Sequence, residues 1–168
     1  MNQQYNNPFQ NMQIISLKTQ QEDYDEYCQS GKPRVSVERS PFPRKVDFWF
    51  AGLSLAVLKN LNPIDLTKEK TVSIISGDIF NTDGWQAQAI MLIAITIDCD
   101  LEVVLKPRRM MDIANGLAAA GVDHIIKMLS DGPQEPIWNL SDAFGKLLQS
   151  DNIAEKPSDH DRLTKALL

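Results

Sequence analysis

The sequence has few of the residues on which most enzymatic and metal sites depend. Its 168 residues include only two cysteines and two histidines. It has no Cys-x-x-Cys pair and no His-x3-His or Cys/His cluster, so a disulfide framework and a structural zinc site are excluded. Glycine-rich phosphate loops of the two common types, Gly-x4-Gly-Lys and Gly-x-Gly-x2-Gly, are also absent. We therefore expect no catalytic residue, no cofactor and no bound metal, and an interaction protein is favoured over an enzyme.

Two minor candidates for chemistry remain. Cys99 and His124 are the one cysteine–histidine combination that could form a nucleophile pair. Asp98, Asp100 and Glu102 place three carboxylates close together, which suits Mg²⁺ or Ca²⁺, although the spacing of a calcium loop is missing. For both we favour the simpler interpretation of a solvated helix surface and a solvated helix end. An enzyme with a dispersed carboxylate site stays open as an alternative.

The chain also lacks a long apolar run and an excess of positive charge. Its longest uninterrupted apolar segment, residues 89–95, has seven residues, whereas a membrane-spanning helix needs about 20. The first residues have neither the positive flank nor the apolar core of a signal peptide. We therefore expect a cytoplasmic protein without membrane contact. The formal net charge of −5 argues against a general affinity for nucleic acid.

Two segments of helical length, by contrast, are apolar nearly all round. They span residues 46–58 and 85–97, and in the first only Asp47 and Ser54 form a polar strip. A helix without a polar face must be covered on every side, which is difficult for two such helices in one small domain. This pattern predicts a homo-oligomer or a complex with a protein partner.

Aromatic side chains are concentrated at the start of these two segments. Phe48, Trp49 and Phe50 are consecutive, so on a helix they point about 100° apart and cannot all face one core layer. Trp85 begins the second segment. Because aromatic residues are enriched among the contacts that dominate interface energies, we predict that these four residues bind a partner.

One concentrated basic motif precedes a predicted helix and comprises Lys106, Arg108 and Arg109. Three positive side chains beside the free N–H groups of a helix start favour anion or nucleic-acid contact. The segment 112–129 that follows resembles a helix-turn-helix, because two helical stripes meet at Gly121. The small and apolar positions of that motif are not filled, so a plain helical hairpin is the preferred interpretation. A DNA-binding accessory protein is therefore an alternative function.

The apolar periodicity predicts a mainly α-helical fold of about five helices with a minor β component, and α+β is the alternative fold class. Strands are expected at Thr71–Ser76, at Leu101–Leu105, where a continuing helix is also possible, and in the N-terminal region, including an edge strand at 34–38. Helices are expected at about 46–61, 83–98, 107–120, 122–129 and 140–148.

Composition predicts three parts of the chain. Residues 1–43 are expected to be a polar, partly disordered N-terminal arm, because asparagine and glutamine dominate its start. Residues 44–150 are the expected helical core domain, which begins after a proline-rich break. Residues 151–168 are the expected flexible C-terminal tail.

Three stretches resemble small accessory proteins encoded in bacterial phage-defence and DNA-modification operons. They are residues 46–58, residues 77–97 with their Asp-Gly-Trp sequence, and residues 110–129. The resemblance implies a prokaryotic accessory subunit with a role in antiviral defence, and it brings no catalytic residue. The expected function is a non-enzymatic interaction or assembly subunit of a bacterial multi-protein complex.

Overall fold

The computed structural model describes residues 7–32 and 35–153 of the chain. These residues form five α-helices and one two-stranded antiparallel sheet, which confirms a mainly α fold with a minor β component. The strands are β1 (Gln13–Leu17) and β2 (Thr71–Ser76). The helices are α1 (Gln21–Tyr27), α2 (Lys45–Leu58), α3 (Gly84–Asp98), α4 (Pro107–Ser130) and α5 (Pro136–Ile153).

Helix α4 is the central element, and α2 crosses it at very close range. A Cβ atom on Gly121 would lie 1.9 Å from the carbonyl oxygen of Gly52. A Cβ atom on Gly52 would lie 2.6 Å from Cγ2 of Val122. Glycine allows two backbones to approach where any side chain would separate them. The two glycines therefore set the distance between α2 and α4.

The predicted helix end at Gly121 is wrong. The chain instead continues as one helix of 24 residues, in which Gly121 is an interior position. The helix-turn-helix resemblance and the helical hairpin interpretation of residues 112–129 are both wrong for this reason. A glycine inside a helix costs about 1 kcal/mol relative to alanine, and at Gly121 the close contact with α2 offsets that cost.

The segment Leu101–Leu105 forms 3₁₀ turns, which corrects the predicted strand. The carboxylate of Asp100 accepts a hydrogen bond from the backbone N–H of Glu102 at 2.8 Å and so caps the first turn. This local hydrogen bond competes with extended backbone. As a result Leu101 and Leu105 point outward and are 74% and 78% exposed.

The N-terminal segment before residue 44 contributes to the core. The side chains of Phe9, Ile14 and Tyr24 are fully or almost fully buried in the same cluster as the apolar residues of α2 and α4. Strand β1 is held to α4 as well, because the side chain of Asn115 accepts a hydrogen bond from the backbone N–H of Ile15 at 3.1 Å. The described part of the predicted arm thus packs together with the predicted core domain.

Parts of three predictions lie outside the described residues. Residues 1–6 of the predicted arm and residues 154–168 of the predicted tail are among them. Residue 34, the first of the predicted edge strand, also lies outside, and residues 35–38 form no strand.

Candidate functional site

The outward faces of α2 and α3 form one largely apolar surface. The ring of Phe50 on α2 contacts the ring of Trp85 on α3, with centroids 5.0 Å apart. Farther along the two helices, Val57 and Leu92 line a shared cavity of about 190 Å³. We call this feature the α2–α3 surface. Its members are Phe50, Val57, Leu61, Trp85, Leu92, Ile93 and Ile97.

Helix α3 exposes apolar side chains because only a narrow strip of the helix contacts the core. Ala87, Ile90 and Ala94 are fully buried and repeat at helical spacing along one line. Trp85 and Leu92, seven residues apart, lie on the opposite line and are 61% and 65% exposed. A surface helix normally carries charged or polar residues there. Gln88 and Thr96 are also exposed on this helix, but its two largest outward side chains are apolar and more than half exposed.

The cavity in the α2–α3 surface is the right size for one apolar side chain. A cavity of about 150 Å³ with an apolar lining holds a benzene molecule, so 190 Å³ admits an aromatic ring or a branched aliphatic group. Leu117 of α4, which is fully buried, contributes to the lining. A pocket of this kind is where a partner's anchor residue binds in many interfaces.

The structure places two of the four predicted partner-binding residues on this surface and two in the core. Phe50 is half-buried and Trp85 is exposed, so a partner could contact both. Phe48 and Trp49 are fully buried, and the ring of Phe48 stacks on Phe42 with centroids 4.6 Å apart. The prediction that Phe48 and Trp49 bind a partner is corrected, because contact with them would require the core to open.

Val57 and Leu92 were missed as candidate interface residues. The sequence signal was the scarcity of polar residues in the two apolar segments. That signal indicates that some face is uncovered, but it does not say which one. The exposed face depends on how α2 and α3 pack against α4, which is a tertiary property.

Acidic neighbours partly neutralise the predicted basic site at the start of α4. Nε and Nη2 of Arg109 donate hydrogen bonds to the carboxylate oxygens of Asp98 at 2.9 and 2.6 Å. This pairing holds the pKa of the Asp98 carboxyl below its ordinary value. Nζ of Lys106 lies 3.8 Å from a carboxylate oxygen of Asp100. Among the described residues, Arg108 is the one member of the motif without an ion pair.

The carboxylates at the end of α3 have structural partners. Asp98 pairs with Arg109, and Asp100 caps the turn that follows. In residues 7–32 and 35–153, no group of three or more potential ligands is arranged to hold a metal ion.

The structure does not bring Cys99 and His124 together. Cys99 follows α3 beside the start of α4, where Asp98 binds Arg109. His124 lies fifteen residues after Arg109 on the same helix, a distance of about 22 Å at 1.5 Å per residue. A cysteine–histidine pair is therefore not formed.

We expect no appreciable binding to duplex DNA at physiological salt, since two of the three basic residues are already paired with carboxylates. Fluorescence anisotropy with a labelled duplex measures this. If the motif did bind DNA, replacing Lys106, Arg108 and Arg109 by alanine would lower the slope of log affinity against log salt by about 2–3. Tight binding by the wild type that this triple change abolishes would contradict the expectation.

The helices of the described residues include none with the length and hydropathy needed to cross a membrane. Comparisons with protein-family models, with curated proteins and with solved structures found no significant match to this chain. Function is therefore inferred from the geometry and chemistry of the sites themselves.

Proposed function

We propose that this protein is a non-enzymatic interaction subunit that binds another protein chain through the α2–α3 surface. The observation that carries the proposal is a pair of large apolar side chains on the outward face of α3, Trp85 and Leu92, which are 61% and 65% exposed. Large side chains that share such a face mark interaction sites more often than isolated exposed leucines do. The 190 Å³ cavity beside Leu92 supplies a place for an anchoring side chain of the partner.

The proposed setting is a multi-protein assembly in the bacterial cytoplasm, with antiviral defence as its biological role. The resemblance to accessory proteins of phage-defence and DNA-modification operons supports this setting. Cys28 and Cys99 are both free thiols, which suits a reducing compartment. The occupant of the α2–α3 surface is either a second copy of this chain or another subunit of the same assembly.

The substitution Leu92→Asp tests the proposal. It places a charge beside the cavity at a position that is already 65% exposed, so the fold should be retained. We expect association to weaken by at least about 2 kcal/mol, as for a residue that dominates an interface. This corresponds to a roughly 30-fold rise in Kd. Light scattering measures self-association, and co-purification with proteins encoded beside it measures binding to another chain.

A matched control is available on α5. Leu148 is 64% exposed and lies outside the α2–α3 surface, so Leu148→Asp introduces the same charge at an equally exposed leucine. We expect this variant to associate like the wild type. The proposal is wrong if the two variants weaken association equally, or if the wild type is monomeric and binds none of the proteins tested.

A further inference from the structure

A second, more polar cavity lies at the far end of α4 from the basic motif. It has a volume of about 600 Å³ and is formed by the residues after α2, the C-terminal part of α4 and the start of α5. Small-molecule sites in proteins have volumes of about 300–1,000 Å³. The size of this cavity therefore suits a metabolite rather than a single ion.

Three lysines and a histidine line this cavity: Lys59, His124, Lys127 and Lys146. Within residues 7–32 and 35–153, none of the three lysines takes part in an ion pair, although seven ion pairs are formed by other residues. Three ammonium groups that line one cavity raise the positive potential there and attract anions. The arrangement therefore favours an anionic ligand.

Two carboxylates limit the charge of that ligand. Asp131 and Asp142 also line the cavity, and Asp142 accepts a hydrogen bond from the side-chain nitrogen of Gln134 at 3.0 Å. The lysines outnumber these aspartates by one, and protonation of His124 adds one more positive charge. Such a balance suits a small anion with one or two phosphate groups, whereas the backbone of a nucleic acid would be repelled by the aspartates.

One wall of the cavity is already ordered by a buried side chain. The amide nitrogen of Asn139 donates hydrogen bonds to the carbonyl oxygens of Leu129 and Gln134, both at 3.0 Å. Its side-chain oxygen accepts a hydrogen bond from the backbone N–H of Gln134 at 3.3 Å. A Cβ atom at Gly132 would lie 2.3 Å from that oxygen, so a larger residue there would displace the side chain of Asn139. These bonds fix the α4–α5 loop in place before any ligand binds.

The pKa of the His124 imidazole depends on the charged groups around this cavity. Burial lowers its pKa, and the nearby ammonium groups of Lys59 and Lys127 lower it further, while Asp123 acts in the opposite direction. The other charged groups that line the cavity are Lys146 and Asp142 on α5 and Asp131 in the loop. A bound anion would counteract the lysines and favour the imidazolium form.

We propose that this cavity binds a phosphate-bearing small molecule, with its phosphate held among Lys59, Lys127 and Lys146 beside His124. The site is separate from the α2–α3 surface and does not depend on the proposed protein interaction. A bound ligand would stabilise the loop and the helix ends that form the cavity. The subunit would then respond to a small molecule as well as to its protein partner.

The test is an NMR titration of the His124 imidazole in the full chain, with inorganic pyrophosphate as the probe. We expect excess pyrophosphate to raise the pKa of His124 by about one pH unit, because a nearby negative charge favours the charged imidazole. His160, the other histidine of the chain, provides an internal reference for non-specific binding.

Variants of the cavity and of the other basic site test where pyrophosphate binds. The double substitution Lys59→Ala, Lys127→Ala should abolish the response of His124 to pyrophosphate, and Lys146→Gln, a single change at an exposed side chain, should reduce it. Lys106→Ala, Arg108→Ala removes the same number of charges from the other basic site and should leave the response intact. An unchanged response in the double and single cavity variants, or equal responses of His124 and His160, would overturn the proposal.

Discussion

Replacing Gly121 by alanine is expected to lower the free energy of unfolding by about 3 kcal/mol, the upper end of the usual cost of overpacking a core. The new Cβ would lie 1.9 Å from the backbone oxygen of Gly52, and backbone cannot rotate away as a flexible side chain can. Helix propensity alone would favour alanine by about 1 kcal/mol. The contact between α2 and α4 should outweigh that preference. Urea denaturation followed by circular dichroism measures the difference.

Gly145 is the matched control for this prediction. It lies within α5, and a Cβ atom there meets nothing within 4 Å in the described part of the chain. Gly145→Ala should therefore stabilise the protein by about 0.5–1 kcal/mol. If both alanine variants were stabilised alike, α2 and α4 would not pack at the distance described.

The second large effect is expected for Trp49→Ala, which should destabilise the protein by about 3–5 kcal/mol. The indole of Trp49 is fully buried and packs against Phe50 and Phe80, with ring centroids 6.5 Å apart in both pairs. Its removal leaves a cavity that the surrounding helices can only partly fill. The same denaturation experiment measures the loss.

The substitution Trp85→Ala provides the comparison with Trp49, because Trp85 is a tryptophan on the surface. Trp85 is 61% exposed, so its truncation should change stability by less than about 1 kcal/mol while weakening association. The assignment of Trp49 to the core and of Trp85 to the interface would be contradicted by two results together. They are a Trp49→Ala variant that stays folded but no longer binds its partner, and a Trp85→Ala variant that unfolds.

The sequence predicted α2 and α3 well because their ends have local causes. At the start of α2, the Asp47 carboxylate accepts hydrogen bonds from the backbone N–H of Arg44 at 3.1 Å and from its guanidinium at 3.0 and 2.6 Å. Helix α3 starts at Gly84, one residue after its predicted start, and Asp83 is its N-cap residue. Both helices are also rich in apolar residues at helical spacing. Such local signals are readable without knowledge of the tertiary structure.

The features that were missed depend on contacts between distant residues. Gly121 has the sequence signature of a helix end, and only the backbone of Gly52 explains its place inside α4. Helix α1 is mostly polar, and it is held by Tyr24 and Tyr27, whose rings contact Phe48 at 4.8 and 6.2 Å between centroids.

The candidate interaction site was predicted only in part. The all-round apolar pattern indicated an uncovered face, and Trp85 and Phe50 lie on it. Phe48 and Trp49 were included because three consecutive aromatics cannot share one core layer. In the structure that reasoning holds for Phe50 alone, because the other two face different parts of one continuous core.

Hydroxyl-radical footprinting of the three tryptophans, compared between the isolated and the assembled protein, tests the central claim most directly. Trp85 and Trp138 are 61% and 51% exposed, and Trp49 is buried, so each serves as a reference for the others. We predict that assembly protects Trp85 strongly, leaves Trp138 unchanged and keeps Trp49 unreactive throughout. Protection of Trp138 with unchanged oxidation of Trp85 would contradict binding through the α2–α3 surface.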